Sequence, residues 1–125
     1  MSSELVTIAR KCFFSCGVTR SDCGNSGFNY VFEVYLKGPI DPVSGLVVNL
    51  TDVKKILLTI KDTLDQKHLN HDISPALTDY TLSHIHQYIH QLFLDEFKGE
   101  NLNHIKFFKS KLFEGKTKSS EIIMS

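Results

Sequence analysis

The carboxylate of Glu114 is the side chain in this sequence best suited to holding a ligand. It stands at the end of a predicted strand, in Leu112-Phe113-Glu114. A carboxylate buried in a strand is costly unless it is paired with a donor. Two N–H donors side by side, as on a guanidine-like edge, would pair with it in a bidentate manner. An ion pair with Lys111 or Lys116, or plain exposure, is the alternative.

Three cysteines, Cys12, Cys16 and Cys23, offer thiol chemistry. Arg20 is close to Cys23 in sequence, and a neighbouring positive charge can lower a thiol pKa enough to make a nucleophile. Cys12 and Cys16 fall in a predicted strand and are expected to act as small hydrophobic side chains. The odd count and the lack of a CxxC pair argue against a secreted disulfide framework. Cys23 is therefore a candidate nucleophile, with an inert loop thiol as the alternative.

The histidines offer little for metal binding, since none precedes His68. His86 and His90 are four residues apart on a predicted helix, a spacing that can hold a metal ion. No glutamate lies between them, and two ligands rarely suffice for zinc. We therefore expect a solvated helix face at His86 and His90, and surface positions for His68 and His71.

The composition is that of one ordinary globular domain over residues 1–125, with 42% hydrophobic and 22% charged residues. Fourteen basic residues balance fourteen acidic ones, so neither a nucleic-acid surface nor a polybasic membrane contact is expected. No apolar run approaches the ~20 residues that span a bilayer. The N-terminus also lacks the pattern of a signal peptide. These features predict a cytoplasmic domain, and its low net charge permits oligomers.

Hydrophobic periodicity predicts two strands, then two amphipathic helices, then two strands. Gly, Asn and Ser between the first two strands are typical of a loop. The predicted elements are a strand over 4–16, a loop over 17–27, a strand over 28–37, helices near 51–65 and 79–97, and strands over 103–113 and 118–124.

This order predicts an α+β domain in which a four-stranded antiparallel sheet carries both helices on one face. Tyr30, Phe32, Val34 and Leu36 alternate along the second strand and are expected to share one face. The opposite face is also rich in Phe and Tyr. Apolar surface of that kind suggests a partner subunit.

Residues 38–55, GPIDPVSGLVVNLTDVKK, resemble the signature of the 6-pyruvoyl-tetrahydropterin synthases. Three further stretches agree in order and spacing. Residues 26–30, SGFNY, stand where the family has His-Gly-His-Asn-Tyr. Residues 64–70, LDQKHLN, stand where it has Leu-Asp-His-x-x-Leu-Asn, and residues 112–114 where it has an aromatic residue, Glu and Thr.

The resemblance implies the tunnelling fold, which the bacterial 6-carboxytetrahydropterin synthases share. In that fold a hairpin, two helices and a second hairpin form each subunit. Three subunits close their sheets into a barrel, and two such rings stack. A homo-oligomer, either trimer or hexamer, is the expected state.

The resemblance also implies a zinc ion held by three histidines, but this sequence lacks all three. Their positions fall on Val18, Ser26 and Phe28. Valine and phenylalanine offer no donor atom to zinc, which needs three or four ligands. The family's catalytic histidine falls on Gln66, which cannot cycle a proton at neutral pH. We therefore expect no metal and no cofactor.

Other site residues implied by the resemblance are kept. Asp65 matches the aspartate of the family's catalytic Asp-His pair, with a capping or salt-bridging role as the alternative. Cys23 lies near the family's catalytic cysteine. Glu114 matches the glutamate that anchors the pterin ring, with Thr78 nearby as a ligand-binding residue. The expected function is a degenerate relative that binds a pterin- or purine-like ligand without zinc chemistry. The alternatives are a divergent carbon–oxygen lyase that uses metal-free acid–base or thiol chemistry, and a structural subunit that co-assembles with an active paralogue.

Overall fold

The computed structural model of the chain describes residues 5–39, 50–73, 76–99 and 106–124. Residues 40–49, which hold most of the 38–55 signature, are outside these ranges. In chain order the elements are β1 (Leu5–Arg20), β2 (Gly24–Pro39), α1 (Leu50–Leu64), β3 (Lys67–His68), α2 (Leu69–Asp72), α3 (Leu82–Gly99), β4 (Lys106–Glu114) and β5 (Lys118–Ile123).

These elements form one sheet in the order β3-β1-β2-β4-β5. The pairs β1–β2, β2–β4 and β4–β5 are antiparallel, which confirms the predicted four-stranded sheet. The two-residue strand β3 adds a short parallel pairing beside Cys16 and Gly17 of β1. The single-turn helix α2 follows it directly. The α+β class is therefore confirmed, with β3 and α2 as small additions to the predicted order.

The predicted loop over 17–27 is wrong. The strands β1 and β2 pair without a break as far as Arg20 and Gly24, and only residues 21–23 form the turn. Gly24 has a φ of 63°, in the left-handed region that glycine adopts at no steric cost. Cross-strand pairing has overridden the loop-favouring composition of this segment. As a result, Arg20 is a strand residue with a fixed position.

The core lies between the sheet and the two long helices. Tyr30, Phe32, Val34 and Leu36 are all buried, which confirms their predicted common face. The Phe32 ring contacts the Phe93 ring of α3, with centroids 6.2 Å apart. On the opposite sheet face Phe13 remains 57% exposed, so that face keeps uncovered apolar surface within one chain.

Helix α3 begins three residues later than predicted. The Oδ1 atom of Asp79 accepts hydrogen bonds from the backbone N–H and the hydroxyl of Thr81. This short side-chain turn satisfies the Thr81 N–H, which would be an unpaired backbone donor in the first turn of a helix starting at residue 79. Hydrogen bonds from His84 and Thr81 also lower the pKa of the Asp79 carboxyl to about 2.

The predicted solvated face at His86 and His90 is wrong, because both side chains are buried. His86 lies between Ser120 and Ser110, with its two ring nitrogens 2.8 Å from their hydroxyl oxygens. The Nδ1 atom of His90 is 2.7 Å from the same Ser110 oxygen. Serines on β4 and β5 leave space for the imidazole rings and provide their hydrogen-bond partners.

Candidate functional site

Glu114 is a buried carboxylate at the end of β4. It lies directly opposite Tyr30 of β2 in the antiparallel register, which brings the two side chains together. The Tyr30 hydroxyl donates a hydrogen bond of 2.7 Å to Oε2 of Glu114. After Glu114 the chain turns at Gly115, whose φ of 64° suits glycine. The side chain of Glu114 has no exposed surface.

The second partner of Glu114 is Arg20, at the end of β1. Its two terminal nitrogens donate to the two carboxylate oxygens, at 2.7 and 2.5 Å. The predicted alternatives, an ion pair with Lys111 or Lys116 and plain exposure, are therefore wrong. The Nζ atom of Lys111 instead lies 3.8 Å from Oε1 of Glu121.

Two further contacts fix the Arg20 guanidinium. Its Nε atom donates a 2.6 Å hydrogen bond to the carbonyl oxygen of Tyr80. Its Cζ atom lies 5.5 Å from the centre of the Phe28 ring, a cation–π geometry. The Arg20 side chain is only 9% exposed. Glu114, Tyr30, Arg20 and Phe28 thus form one packed group, which we call the Glu114 cluster.

The protonation states in the Glu114 cluster follow from burial and these hydrogen bonds. Burial by itself raises the pKa of the Glu114 carboxyl, but bonds from Arg20 and Tyr30 outweigh it, and the net shift is downward. Burial, reinforced by the bond to Glu114, raises the pKa of the Tyr30 hydroxyl. The carboxylate is therefore ionised and the phenol neutral at neutral pH, so Glu114 acts as a hydrogen-bond acceptor.

The three positions matched to zinc-binding histidines lie together in the structure. Val18 and Ser26 are cross-strand partners, and Phe28 is two residues further along β2 on the same face. Val18 is buried, and the Ser26 hydroxyl donates to the Cys23 carbonyl oxygen at 2.9 Å. Within the described ranges no group of three His, Cys, Asp or Glu side chains is placed to hold a metal. These residues do not fit a zinc ion.

Asp65 and Gln66 form hydrogen bonds to the backbone of β1 at Ser15. The Oδ1 atom of Asp65 accepts a 2.9 Å hydrogen bond from the Ser15 N–H. The N–H of Gln66 donates to the Ser15 carbonyl oxygen at 2.7 Å, and Gln66 adopts a left-handed φ of 64°. The Asp65 carboxylate thus binds the backbone of β1.

The remaining predicted site residues make no hydrogen bond or ion pair to the Glu114 cluster within the described ranges. Cys23 is exposed in the turn between β1 and β2. Thr78 is exposed and lines a small cavity of about 270 Å³ with Tyr88 and His84. In the described part of the chain, no hydrogen bond or ion pair joins Cys23, Asp65, Thr78 or Glu114 to another of the four.

The three thiols should differ sharply in reactivity. Burial raises the pKa of Cys12 and of Cys16 to about 12, and Cys16 also donates to the Leu64 carbonyl oxygen. We expect a thiol reagent at pH 8 to modify one cysteine per folded chain, Cys23, and all three after unfolding. A Cys23→Ser variant should react at none while folded. Rapid modification of two or more thiols in the folded chain would contradict the buried positions.

Arg20 is the functional residue that sequence reasoning missed. In the sequence Arg20 stands out only as a neighbour of Cys23, because a loop over 17–27 would give it no fixed position. The available signal was Phe28, an aromatic side chain where the family has a histidine, because an aromatic ring can stack against a guanidinium.

The element order, the antiparallel sheet and the one-sided helical layer define an α+β protein with the tunnelling fold. A family model for 6-pyruvoyl tetrahydropterin synthase matches residues 18–123. The chain belongs to the 6-pyruvoyl tetrahydropterin synthase family.

Relatives support this assignment over part of their length. A putative 6-pyruvoyl tetrahydrobiopterin synthase of Caenorhabditis elegans is 41% identical over 58 residues, which are 44% of this chain and 41% of that protein. The Homo sapiens 6-pyruvoyl tetrahydrobiopterin synthase is 44% identical over 48 residues, 38% of this chain and 33% of that protein. The match thus spans less than half the length of each of these two relatives.

Solved structures agree with the fold over the full chain. The Caenorhabditis elegans 6-pyruvoyl tetrahydropterin synthase superposes with a TM-score of 0.84 at 23% identity, covering 100% of both chains. A catalytic residue mutant of the Plasmodium vivax enzyme superposes with a TM-score of 0.80 at 12% identity, covering 96% of this chain and 98% of that one.

Among the described residues, no helix has the length and apolar character needed to cross a membrane.

Proposed function

We propose that this chain binds a pterin- or purine-like heterocycle and carries out no zinc-dependent synthase chemistry. The observation that carries the proposal is a family scaffold with a buried, ionised Glu114 beside three positions that cannot bind zinc. The two oxygens of Glu114, which accept hydrogen bonds from Arg20 in this structure, are spaced to accept from two adjacent N–H donors. The amino group and ring N–H of a pterin or guanine provide such a pair.

The proposed mechanism is recognition by hydrogen bonding. Glu114 accepts from the heterocycle edge, and Tyr30 orients the carboxylate by donating to Oε2. A cleft of about 560 Å³ between the β1–β2 turn and the start of α3 gives access to this end of the sheet. That volume lies within the usual range for small-molecule sites. Cys23 and Asp65 take no part in this mechanism.

The proposed assembly is a homo-oligomer, a trimer or hexamer, in the cytoplasm. The exposed apolar side chains Leu5, Phe13 and Ile123 on strands β1 and β5 support it. Closing sheets into a barrel removes exposed strand edges.

Zinc content and pterin binding, measured on the same purified protein, test the proposal. We expect no stoichiometric zinc by elemental analysis, and saturable quenching of pterin fluorescence that is lost in Glu114→Gln. Stoichiometric zinc would overturn the assigned ligand positions and restore synthase activity as the leading function. Absence of zinc and of pterin binding at millimolar concentration would instead favour a structural subunit.

A further inference from the structure

The two carboxylate oxygens of Glu114 already have a bidentate partner. Arg20 donates from two nitrogens of one planar guanidinium, one to each oxygen. Tyr30 adds a third hydrogen bond to Oε2. An ionised carboxylate has about four lone-pair sites, and the two that suit a parallel pair of donors are taken.

The guanidinium of arginine and the edge of a pterin or guanine present the same chemistry. Both are planar, and both direct two N–H bonds in parallel toward one carboxylate. They therefore compete for the same positions on Glu114.

We propose that Arg20 is an internal occupant of the Glu114 acceptor site, and that a heterocycle with a guanidine-type edge binds there only by displacing it. This inference rests on the proposed function, in which Glu114 anchors the ring.

The position of Phe28 supports this inference. The Phe28 ring lies under the Arg20 guanidinium, at a position that the family resemblance assigns to a zinc-binding histidine. A phenylalanine there both removes a metal ligand and gives the guanidinium a face to stack on. Phe28 thus contributes both to the loss of the zinc site and to the placement of Arg20 beside Glu114.

The cleft provides the space into which Arg20 can move. Arg20, Tyr80 and Lys118 line this cleft, whereas Glu114 has no exposed side-chain surface. Arg20 thus lies between solvent and the carboxylate. An outward turn of its side chain would open the acceptor site and would break its hydrogen bond to the Tyr80 carbonyl.

The inference predicts that removing the occupant strengthens binding. The apparent affinity of a site that is open only part of the time is reduced by the open fraction. Since hydrogen bonds between charged groups are among the stronger ones in proteins, we expect Arg20→Ala to bind unsubstituted pterin about ten- to a hundred-fold more tightly than the wild type. Fluorescence titration measures both dissociation constants.

Three controls identify the mechanism. Lumazine, in which a carbonyl replaces the pterin amino group, should gain nothing from the substitution. Adding Glu114→Gln to Arg20→Ala should abolish the gain. Arg10→Ala, which removes an exposed arginine of the same strand, should leave pterin affinity unchanged.

Arg20→Lys provides a second variant if Arg20→Ala does not fold. Lysine keeps a positive charge beside Glu114 but cannot make the bidentate contact. It should bind pterin several-fold more tightly than the wild type.

The outcomes separate this inference from the proposed function. Tighter pterin binding by Arg20→Ala or Arg20→Lys, absent for lumazine, supports the occupant role. Equal affinity in the wild type and the folded variants overturns that role and leaves heterocycle binding intact. Absence of binding in every folded variant overturns both.

Discussion

Replacing Glu114 with alanine is expected to lower the free energy of unfolding by about 3–5 kcal/mol. The substitution leaves the Arg20 guanidinium, which is only 9% exposed, without its counter-charge. It also removes the acceptor of the Tyr30 hydroxyl. Urea unfolding at fixed protein concentration and pH 7 measures the loss.

Glu121 on the neighbouring strand provides the matched control. It forms ion pairs with Lys109 and Lys111 at 3.4 and 3.8 Å and is 38% exposed. Glu121→Ala should cost no more than about 1 kcal/mol, as exposed ion pairs do. An equally small loss for Glu114→Ala would contradict a buried ion pair with Arg20.

The pair as a whole should prove easier to replace than either member. Substituting both Glu114 and Arg20 with apolar residues of similar volume removes two desolvation penalties together. Glu114→Leu combined with Arg20→Met should therefore recover much of the stability that either single substitution loses.

Because the pKa of Glu114 is lower than its ordinary value of 4.5, its stabilisation is present above pH 4.5 and is lost as the pH falls through the folded pKa.

The parts of the fold that local pattern determines could be predicted. The alternation from Tyr30 to Leu36 identified the inward face of β2, and helical spacing identified α1 within one residue at each end. These signals are short-range, because they depend on side chains a few positions apart. The carboxylate at Glu114 was also predicted to need a bidentate partner.

The identity of that partner could not be predicted. Arg20 is separated from Glu114 by 94 positions, and their contact exists only because β1 continues through a segment with loop-like composition. Local propensity indicated a loop there, whereas cross-strand pairing produced a strand. Tertiary pairing thus decided the position of the side chain that makes the bidentate contact with Glu114.

The prediction of a solvated face at His86 and His90 failed for a different reason. His86 follows Ile85, and His90 follows Ile89, so both extend the buried stripe of the helix. The polar type of these two histidines favours a solvated face, whereas their positions on the helix place them in the core. A buried imidazole needs hydrogen-bond partners, and Ser110 and Ser120 on the two final strands provide them. Ser110, a small polar residue that faces inward on β4, was the available signal for such a partner.

This buried network is expected to make the fold sensitive to acid. Burial, together with neighbouring His90, lowers the pKa of His86 from 6.5 to about 4. Burial also lowers the pKa of His90. Between the unfolded and folded pKa values the unfolded chain binds protons that the folded chain does not, so the free energy of unfolding falls as the pH falls. From pH 7 to pH 5 we expect a loss of about 2 kcal/mol from His86, with a further loss from His90.

A His86→Gln variant identifies the source of this loss. Its amide can still donate and accept hydrogen bonds near Ser110 and Ser120, but it binds no proton in this range. It should therefore lose markedly less stability than the wild type between pH 7 and pH 5. His71→Gln, at an exposed position, should retain the full loss. If His86 and His90 are buried in the neutral form, the unfolded chain takes up protons at a higher pH than the folded chain does. A wild-type free energy of unfolding that stays constant from pH 7 to pH 5 would therefore contradict neutral, buried imidazoles.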